Sequence, residues 1–286
     1  MRRPFEKGRA MAQVNWKKSP EEIAYFKGNP IVMGDEEGLY FAYVTDPAAL
    51  AEALPQGMEM VSPVVFGYVT HIKDPSFCIG YHEAALMTIG NFGGQPGVYP
   101  LAFLLDKGDT GTFMGRDVLS IPKKTADSIT LTRDGDKIHA NVKRLGIDVI
   151  DITAEVGEFN DPMCAQVFAA REPGAVAPGL NYFYKFAVDM GSDGAVSIGD
   201  VRLLACPITM TYHTWENASV QVALGESVDD PWAALPVLKP LGGGWTNFDC
   251  AMNGVAKVIP IEGEAAEDTI AKNFAARYDQ YAMNAK

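Results

Sequence analysis

"VVFGYVTHI" (64–72), "EAALMTIGNF" (83–92) and "YPLAFLL" (99–105) follow one another with only short polar, Gly- and Pro-containing text between them. Each is a short apolar run rich in β-branched or aromatic residues and bounded by Gly, Pro or Asp, which reads as a strand. The same text continues outward in both directions. LYFAYV (39–44) lies upstream, and NYFYKFAV (181–188), VRLLACPITMTYHTW (201–215) and SVQVAL (219–224) lie downstream. DSITLTRDGDKIHANV (127–142) reads as a hairpin: Ile129 and Leu131 alternate with polar residues, and Asp134-Gly135 supplies the turn. Helical text is sparse. DPAALAEAL (46–54) and DPMCAQVFAAR (161–171) each open with an Asp cap and a Pro at the first helical position. Segment 264–283 carries Ile270, Phe274, Tyr278 and Tyr281 on one helical face. The sum predicts an α+β, β-dominated, antiparallel fold with a few packing helices. The glycines of GNFGGQPG (90–97) match no phosphate-loop spacing and read as a turn, and the triple glycine 242–244 reads as a flexible loop.

Composition narrows the function classes. The 286 residues are 48% hydrophobic and carry a net charge of −12, which argues against nucleic acid as a partner. No apolar run approaches the roughly 18 residues of a membrane span. No repeat or linker divides the chain, so a single domain over 1–286 is expected, with residues 1–15 a loose terminus lacking the apolar core of a secretory signal. Cys78, Cys164, Cys206 and Cys250 are scattered and form no CxxC, as suits buried free thiols in a reducing, cytoplasmic setting. The four histidines are equally scattered, so no zinc signature exists. Asn217-Ala-Ser is a formal glycosylation site without a secretory context.

GRDVLSIPKK (115–124) carries the chemistry. Lysine attacks a carbonyl only when neutral, and its ordinary pKa of about 10.4 leaves little neutral amine at pH 7. Burial lowers that value, and so does a nearby cation. A second charge at roughly 6–7 Å and an effective dielectric of about 20 costs about 2.5 kcal/mol. On an extended chain, however, Lys123 and Lys124 point to opposite faces. The stronger cause is then the apolar setting of Lys123, with VLSIP just upstream and FMG (113–115) before it.

Arg116-Asp117, four intervening residues, then Pro122-Lys123-Lys124 resembles the G-R-[E/D]-x4-P-K-K signature of the acetoacetate decarboxylase superfamily, itself a known case of a lysine activated by its surroundings. YFAYVTDPAALAEALPQGMEM (40–60), NYFYKF (181–186), and YHTWEN (212–217) followed by LPVL (235–238) are similar to further family blocks in the family's order. The resemblance covers roughly residues 30 to 260. It implies antiparallel sheets forming a barrel-like or cone-like domain with helices packed outside. It implies that Lys123 forms a Schiff base with a keto substrate, and that Lys124 assists electrostatically or holds the local structure. Arg116 and Asp117 match the family's charged pair, which fixes the strand and makes Arg116 a candidate for substrate binding. Glu83 falls where the family keeps a pocket glutamate able to move protons at the α-carbon.

Two positions depart from the family. Tyr68 stands where the decarboxylases carry a second glutamate, and the place of an arginine before the early strand falls near Glu36. No arginine occurs between Arg9 and Arg116. A kept lysine among changed neighbours points to altered chemistry. The favoured reading is a lyase of the aldolase–dehydratase type, joining a 2-oxo acid such as pyruvate to an aldehyde co-substrate. Glu83 would be the base, with Tyr68 and Tyr81 as donors; Tyr81 shares the parity of Glu83, and His82 does not. The alternatives are decarboxylation of acetoacetate or a related β-keto acid, with a cation such as Lys185 rebuilding the pocket, and a non-catalytic ligand-binding member. No cofactor, metal, nucleic acid or membrane is expected; a homo-oligomer is.

Overall fold

The computed structural model describes residues 16–107, 109–169 and 171–280. The elements run α1 (Pro20–Gly28), β1 (Val32–Val44), α2 (Pro47–Ala53), β2 (Met58–Pro75), β3 (Tyr81–Phe92), β4 (Gln95–Leu105), α3 (Asp109–Leu119), β5 (Lys123–Thr125), β6 (Ser128–Asp134), β7 (Lys137–Arg144), β8 (Ile147–Val156), α4 (Cys164–Val167), β9 (Val176–Met190), β10 (Val196–Leu224), β11 (Lys239–Met252), β12 (Lys257–Pro260) and α5 (Glu264–Phe274). All strands join one sheet in the order β11-β1-β2-β3-β4-β9-β10-β8-β7-β6, with β5 on β4 and β12 on β10. β10 also pairs back to β11, so seven strands close a ring. The β-dominated, barrel-like expectation holds. The sheet is mixed, because β5 and β9 both run parallel to β4.

The strand text is continuously apolar because both faces of β1 to β4 are covered, which removes the usual apolar–polar alternation. One face, with Leu39, Phe41, Val69, Leu86 and Leu104, packs on Ile138, Ile150 and Ile152 of the β6–β8 sheet. The other, with Tyr40, Tyr68, Tyr81, Ala85 and Phe103, looks into the ring toward Phe168, Tyr212 and Phe248. Tyr68 and Tyr81, two of the candidate site residues, sit on this second face.

The α2 expectation is met: the Asp46 carboxylate accepts from the amides of Ala48 and Ala49 at 2.7 and 3.0 Å. The 127–142 hairpin is β6 and β7, with Gly135 at φ +60 in its turn. Three readings are corrected. Segment 161–171 gives only the single turn α4. The helix expected over 264–283 is α5, which stops at Phe274; Tyr281 and the rest of 281–283 lie outside the described residues, as do residues 1–15. The triple glycine is no loop: it lies inside β11, opposite Tyr40, Phe41 and Ala42. A Cβ at Gly243 would stand 1.9 Å from the Tyr40 carbonyl oxygen, and one at Gly244 2.4 Å from the Trp215 indole. Glycine here permits close approach of neighbouring strands, not flexibility. Residues 109–119, for which no helix is expected, form helix α3. No helix among the described residues is long and apolar enough to cross a membrane.

Candidate active site

β5 is three residues long and sets the two lysines. It pairs Lys123 with Phe103 and Lys124 with Leu104 on β4, so the pleat sends them to opposite faces. Lys123 enters the ring interior and is 6% exposed. β3 runs along the other side of β4 and pairs Glu83 with Leu105. Lys123 and Glu83 therefore share a face two strands apart and meet over β4: Lys123 Nζ donates to Glu83 Oε2 at 2.8 Å. Tyr68, on β2, donates its hydroxyl to Glu83 Oε1 at 2.7 Å. Both carboxylate oxygens of Glu83 thus accept a hydrogen bond. The rings of Phe103 and Tyr81 lie 5.7 and 5.9 Å from Lys123 Nζ.

Helix α3 closes this site from outside. Gly111, Met114, Gly115, Val118 and Leu119 recur at helical spacing and line the cavity. Gly115 is required by contact: a Cβ there would lie 3.0 Å from both Cδ and Cε of Lys123. The helix ends at Ser120, at φ +53, with Pro122 two residues on. Arg277 holds that junction. Its guanidinium donates to the carbonyls of Ser120 and, at 2.9 Å, Tyr184, and it stacks on Phe186 at 4.3 Å. Burial pulls its pKa down to about 10.

The cavity measures about 160 Å³ and is mostly apolar. Met33, Met87, Met114, Met210 and Met252 supply adaptable wall, and Phe66, Phe103 and Phe248 supply aromatic wall. Two further polar groups line it, one at the place near which the resemblance puts an arginine and one that the sequence reading did not name. The first is Glu36 on β1, 3% exposed, whose Oε1 accepts from the Thr70 hydroxyl at 2.8 Å. Burial, and next the negative charge of Glu83, push its pKa up to about 8. The second is Arg171, seated 4.8 Å over Tyr40 and 4.7 Å over Phe168, with Tyr212 and Trp215 each at 5.4 Å. Its Nη1 is buried and has no hydrogen-bond partner. Strand parity with Tyr40 would have found Glu36; no local signal marks Arg171, which arrives on the segment after α4. The cavity thus does hold an arginine, from a different element than β1.

The other candidates fall elsewhere. Lys124 is buried beyond the sheet, donating to the Asp229 carbonyl at 2.5 Å and pairing with Asp279 at 3.1 Å and Asp230 at 3.5 Å. Arg144 bridges the same two carboxylates at 2.7 and 2.8 Å. Burial opposes the charge on Asp279, but the hydrogen bonds from Arg144 and Lys124 win and hold its pKa below the usual carboxylate range. Arg116 lies on α3 outside the cavity wall, its guanidinium 5.5 Å over the Tyr278 ring. Lys185 does not rebuild the pocket: it donates to the carbonyls of Asp117 and Val118 at 3.2 and 2.9 Å, at the C-terminal end of α3. His82 bonds Asp106 at 2.8 Å, away from Lys123. Tyr81 lines the cavity beside Glu83, and burial raises its pKa and that of Tyr68. Both phenols stay protonated donors. All four cysteines are free thiols; burial raises Cys78 to about 11 and also raises Cys250, so neither cavity-side thiol is a nucleophile at neutral pH.

Residues 16–258 match the model of the acetoacetate decarboxylase family. A CLA biosynthesis isomerase of Lactiplantibacillus plantarum is 33% identical over 272 residues, spanning 94% of this chain and 96% of that one. An acetoacetate decarboxylase of Streptomyces nogalater is 28% identical, over 41% of this chain and 47% of its own. Among solved structures, the acetoacetate decarboxylase of Legionella pneumophila superposes with a TM-score of 0.69 at 18% identity, covering 90% of this chain and 95% of that one. MppR, an enduracididine biosynthesis enzyme solved with the condensation product of pyruvate and imidazole 4-carboxaldehyde, has a TM-score of 0.64 at 16% identity, over 86% and 96%. With a family match over most of its length and a relative aligned end to end, the chain belongs to the acetoacetate decarboxylase family.

Proposed function

We propose that this chain binds an oxo acid with an apolar tail as an imine on Lys123, and that Glu83 moves protons at the adjacent carbon so that a neighbouring double bond migrates. The observation that carries the reading is the 2.8 Å contact between Lys123 Nζ and Glu83 Oε2 inside a buried apolar cavity. Lys123 gives up its proton, its nitrogen bonds to the carbonyl carbon, and the carbonyl oxygen leaves as water. The resulting iminium makes the α-hydrogens acidic. Glu83 takes one, the electron pair enters the enamine, and reprotonation at the far carbon moves the double bond into conjugation. Hydrolysis then returns the ketone and free lysine. Migration is supported by the isomerase among the full-length relatives. The apolar tail is supported by the methionine-rich wall, and the acid by the unpaired, buried Nη1 of Arg171.

Borohydride reduction in the presence of allyl methyl ketone should add the mass of one ligand, less its carbonyl oxygen, at Lys123. Without borohydride, ultraviolet absorbance should rise as the conjugated ketone forms. No adduct at Lys123, or an equal adduct in Lys123→Ala, rejects the reading.

A second reading is the aldolase–dehydratase. Its enamine, formed from pyruvate, would attack the aldehyde carbon, and loss of water would give a conjugated product. MppR, with its pyruvate-derived condensation product, supports it by structural likeness. Pyruvate with an aromatic aldehyde tests it by the same absorbance. Slow or absent CO2 release from acetoacetate is expected, because Tyr68 replaces the second glutamate and β1 offers Glu36 where the family has arginine. A kcat/KM of roughly 10⁴ M⁻¹s⁻¹ or more for that release would replace both readings by decarboxylation. Adduct formation without turnover of any of these would mark a ligand-binding member.

A further inference from the structure

The cavity contains two carboxyl groups in opposite surroundings. Glu83 is engaged at both oxygens, by the ammonium of Lys123 and the hydroxyl of Tyr68. Glu36 has a neutral donor, Thr70, and no cation pairs with it among the described residues. The groups around it are of the wrong kind to ionise it. From β1 itself comes Tyr40, from β2 Tyr68, from β3 Tyr81 and the negative Glu83, from β10 Tyr212 and from β11 Cys250; the phenols and the thiol stay neutral. Lys123 favours the carboxylate, but it is already spent on Glu83, and Arg171, the other cation lining the cavity, sits over the rings of Tyr40, Phe168 and Tyr212. Two carboxyl groups in one cavity, one bonded to a cation and one to a neutral hydroxyl, are placed to divide the work of acid and base.

Resting on the imine reading above, we propose that Glu36 is a second catalytic residue: a neutral carboxylic acid that protonates the far carbon of the enamine while Glu83 removes the α-proton. Glu83 gains a proton as base, and Glu36 loses one as acid. The electron pair of the breaking C–H bond becomes the new C=C bond, and the former C=C pair forms the new C–H bond. Exchange of both carboxyls with water resets them, so atoms and electrons balance without a cofactor. The phenols of Tyr40, Tyr68 and Tyr81 are too weakly acidic to lead this step. The rise of Glu36 to about 8 supports the assignment. It gives the sign of the pH dependence: migration is retained below about pH 8 and falls above it.

The test uses the full chain and allyl methyl ketone. In D2O, the wild-type product should carry solvent deuterium at the far carbon, since its proton comes from a different group than the one that took the α-proton. Glu36→Gln should still form the borohydride adduct at Lys123 and still exchange α-hydrogen for deuterium. Its double-bond migration should fall on the order of 10²- to 10⁴-fold. Carry-over of the substrate's own α-hydrogen to the far carbon would show that Glu83 shuttles alone and would overturn the proposal. So would migration at the wild-type rate in Glu36→Gln, or loss of adduct, exchange and migration together, which marks a structural role. A wild-type chain that forms no adduct rejects the imine reading, and the role of Glu36 with it. An adduct with α-exchange but no migration in the wild type rejects both the migration reading and the acid role, and leaves only the imine.

Discussion

Glu83 is the residue on which the proposed chemistry turns, because its carboxylate accepts from both Lys123 and Tyr68. Glu83→Gln keeps the shape and removes the base. Adduct formation at Lys123 should persist while turnover drops on the order of 10²- to 10⁴-fold, the usual worth of a positioned base. Wild-type turnover in that variant would return Glu83 to a structural part. Arg171 tests the other end of the cavity. Its aromatic surround and unpaired Nη1 suit a carboxylate, which a flexible neutral side chain cannot bind. Arg171→Met should raise KM for an unsaturated oxo acid on the order of tenfold or more, and leave KM for its methyl ester nearly unchanged. Equal effects on acid and ester would mean that Arg171 only packs against Tyr40 and Phe168.

At the scale of elements, α3 and β5 act as one device. β5 fixes the direction of the lysines, and α3 covers the amine with a strip that is glycine where the stem of Lys123 passes. Gly115→Val would press methyl groups against that stem. Overpacking of this sort costs about 1–3 kcal/mol. If Lys123 yields rather than the helix, imine formation should slow by roughly 10²-fold, as expected for a reactive group displaced by about 1 Å. Unchanged borohydride trapping would show that α3 moves instead. On the far face of β5, Lys124, Arg144, Asp230 and Asp279 form a buried ionic cluster. Asp230→Asn would leave two cations with one half-exposed carboxylate. Breaking a buried pair from one side costs about 3–5 kcal/mol, which denaturant titration would register as a lowered midpoint.

For the whole molecule, Glu36 ties stability to pH. Its folded pKa is raised from 4.5 to about 8, so the folded chain holds a proton that the unfolded chain has lost. Stability contributed by this group is present below about pH 4.5 and is lost as pH rises through about pH 8. Glu36→Gln abolishes the effect. The melting temperature of wild type minus that of Glu36→Gln should therefore fall between about pH 5 and pH 8 and level off above. A difference that does not vary with pH would show that Glu36 ionises in the fold as it does in water.

β2 to β4, the hairpin at 127–142, the Asp46 cap and the GRDVLSIPKK motif were all legible in the sequence. So was the separation of Lys123 from Lys124. Each is a local property: run length, turn residues, capping chemistry and strand parity act over a few neighbouring residues. Tertiary structure alone decided the rest. Two glycines and poor helix formers give 109–119 a low helix propensity, yet burial of one strip over Lys123 overrides it. The triple glycine looked like a loop until the Tyr40 backbone and the Trp215 ring proved to lie within contact of it. The closing of β10 on β11, the arrival of Arg171 in the cavity and the raised pKa of Glu36 depend on residues far apart in the chain. A side chain's charge follows from what excludes water around it, and distant strands build that enclosure here.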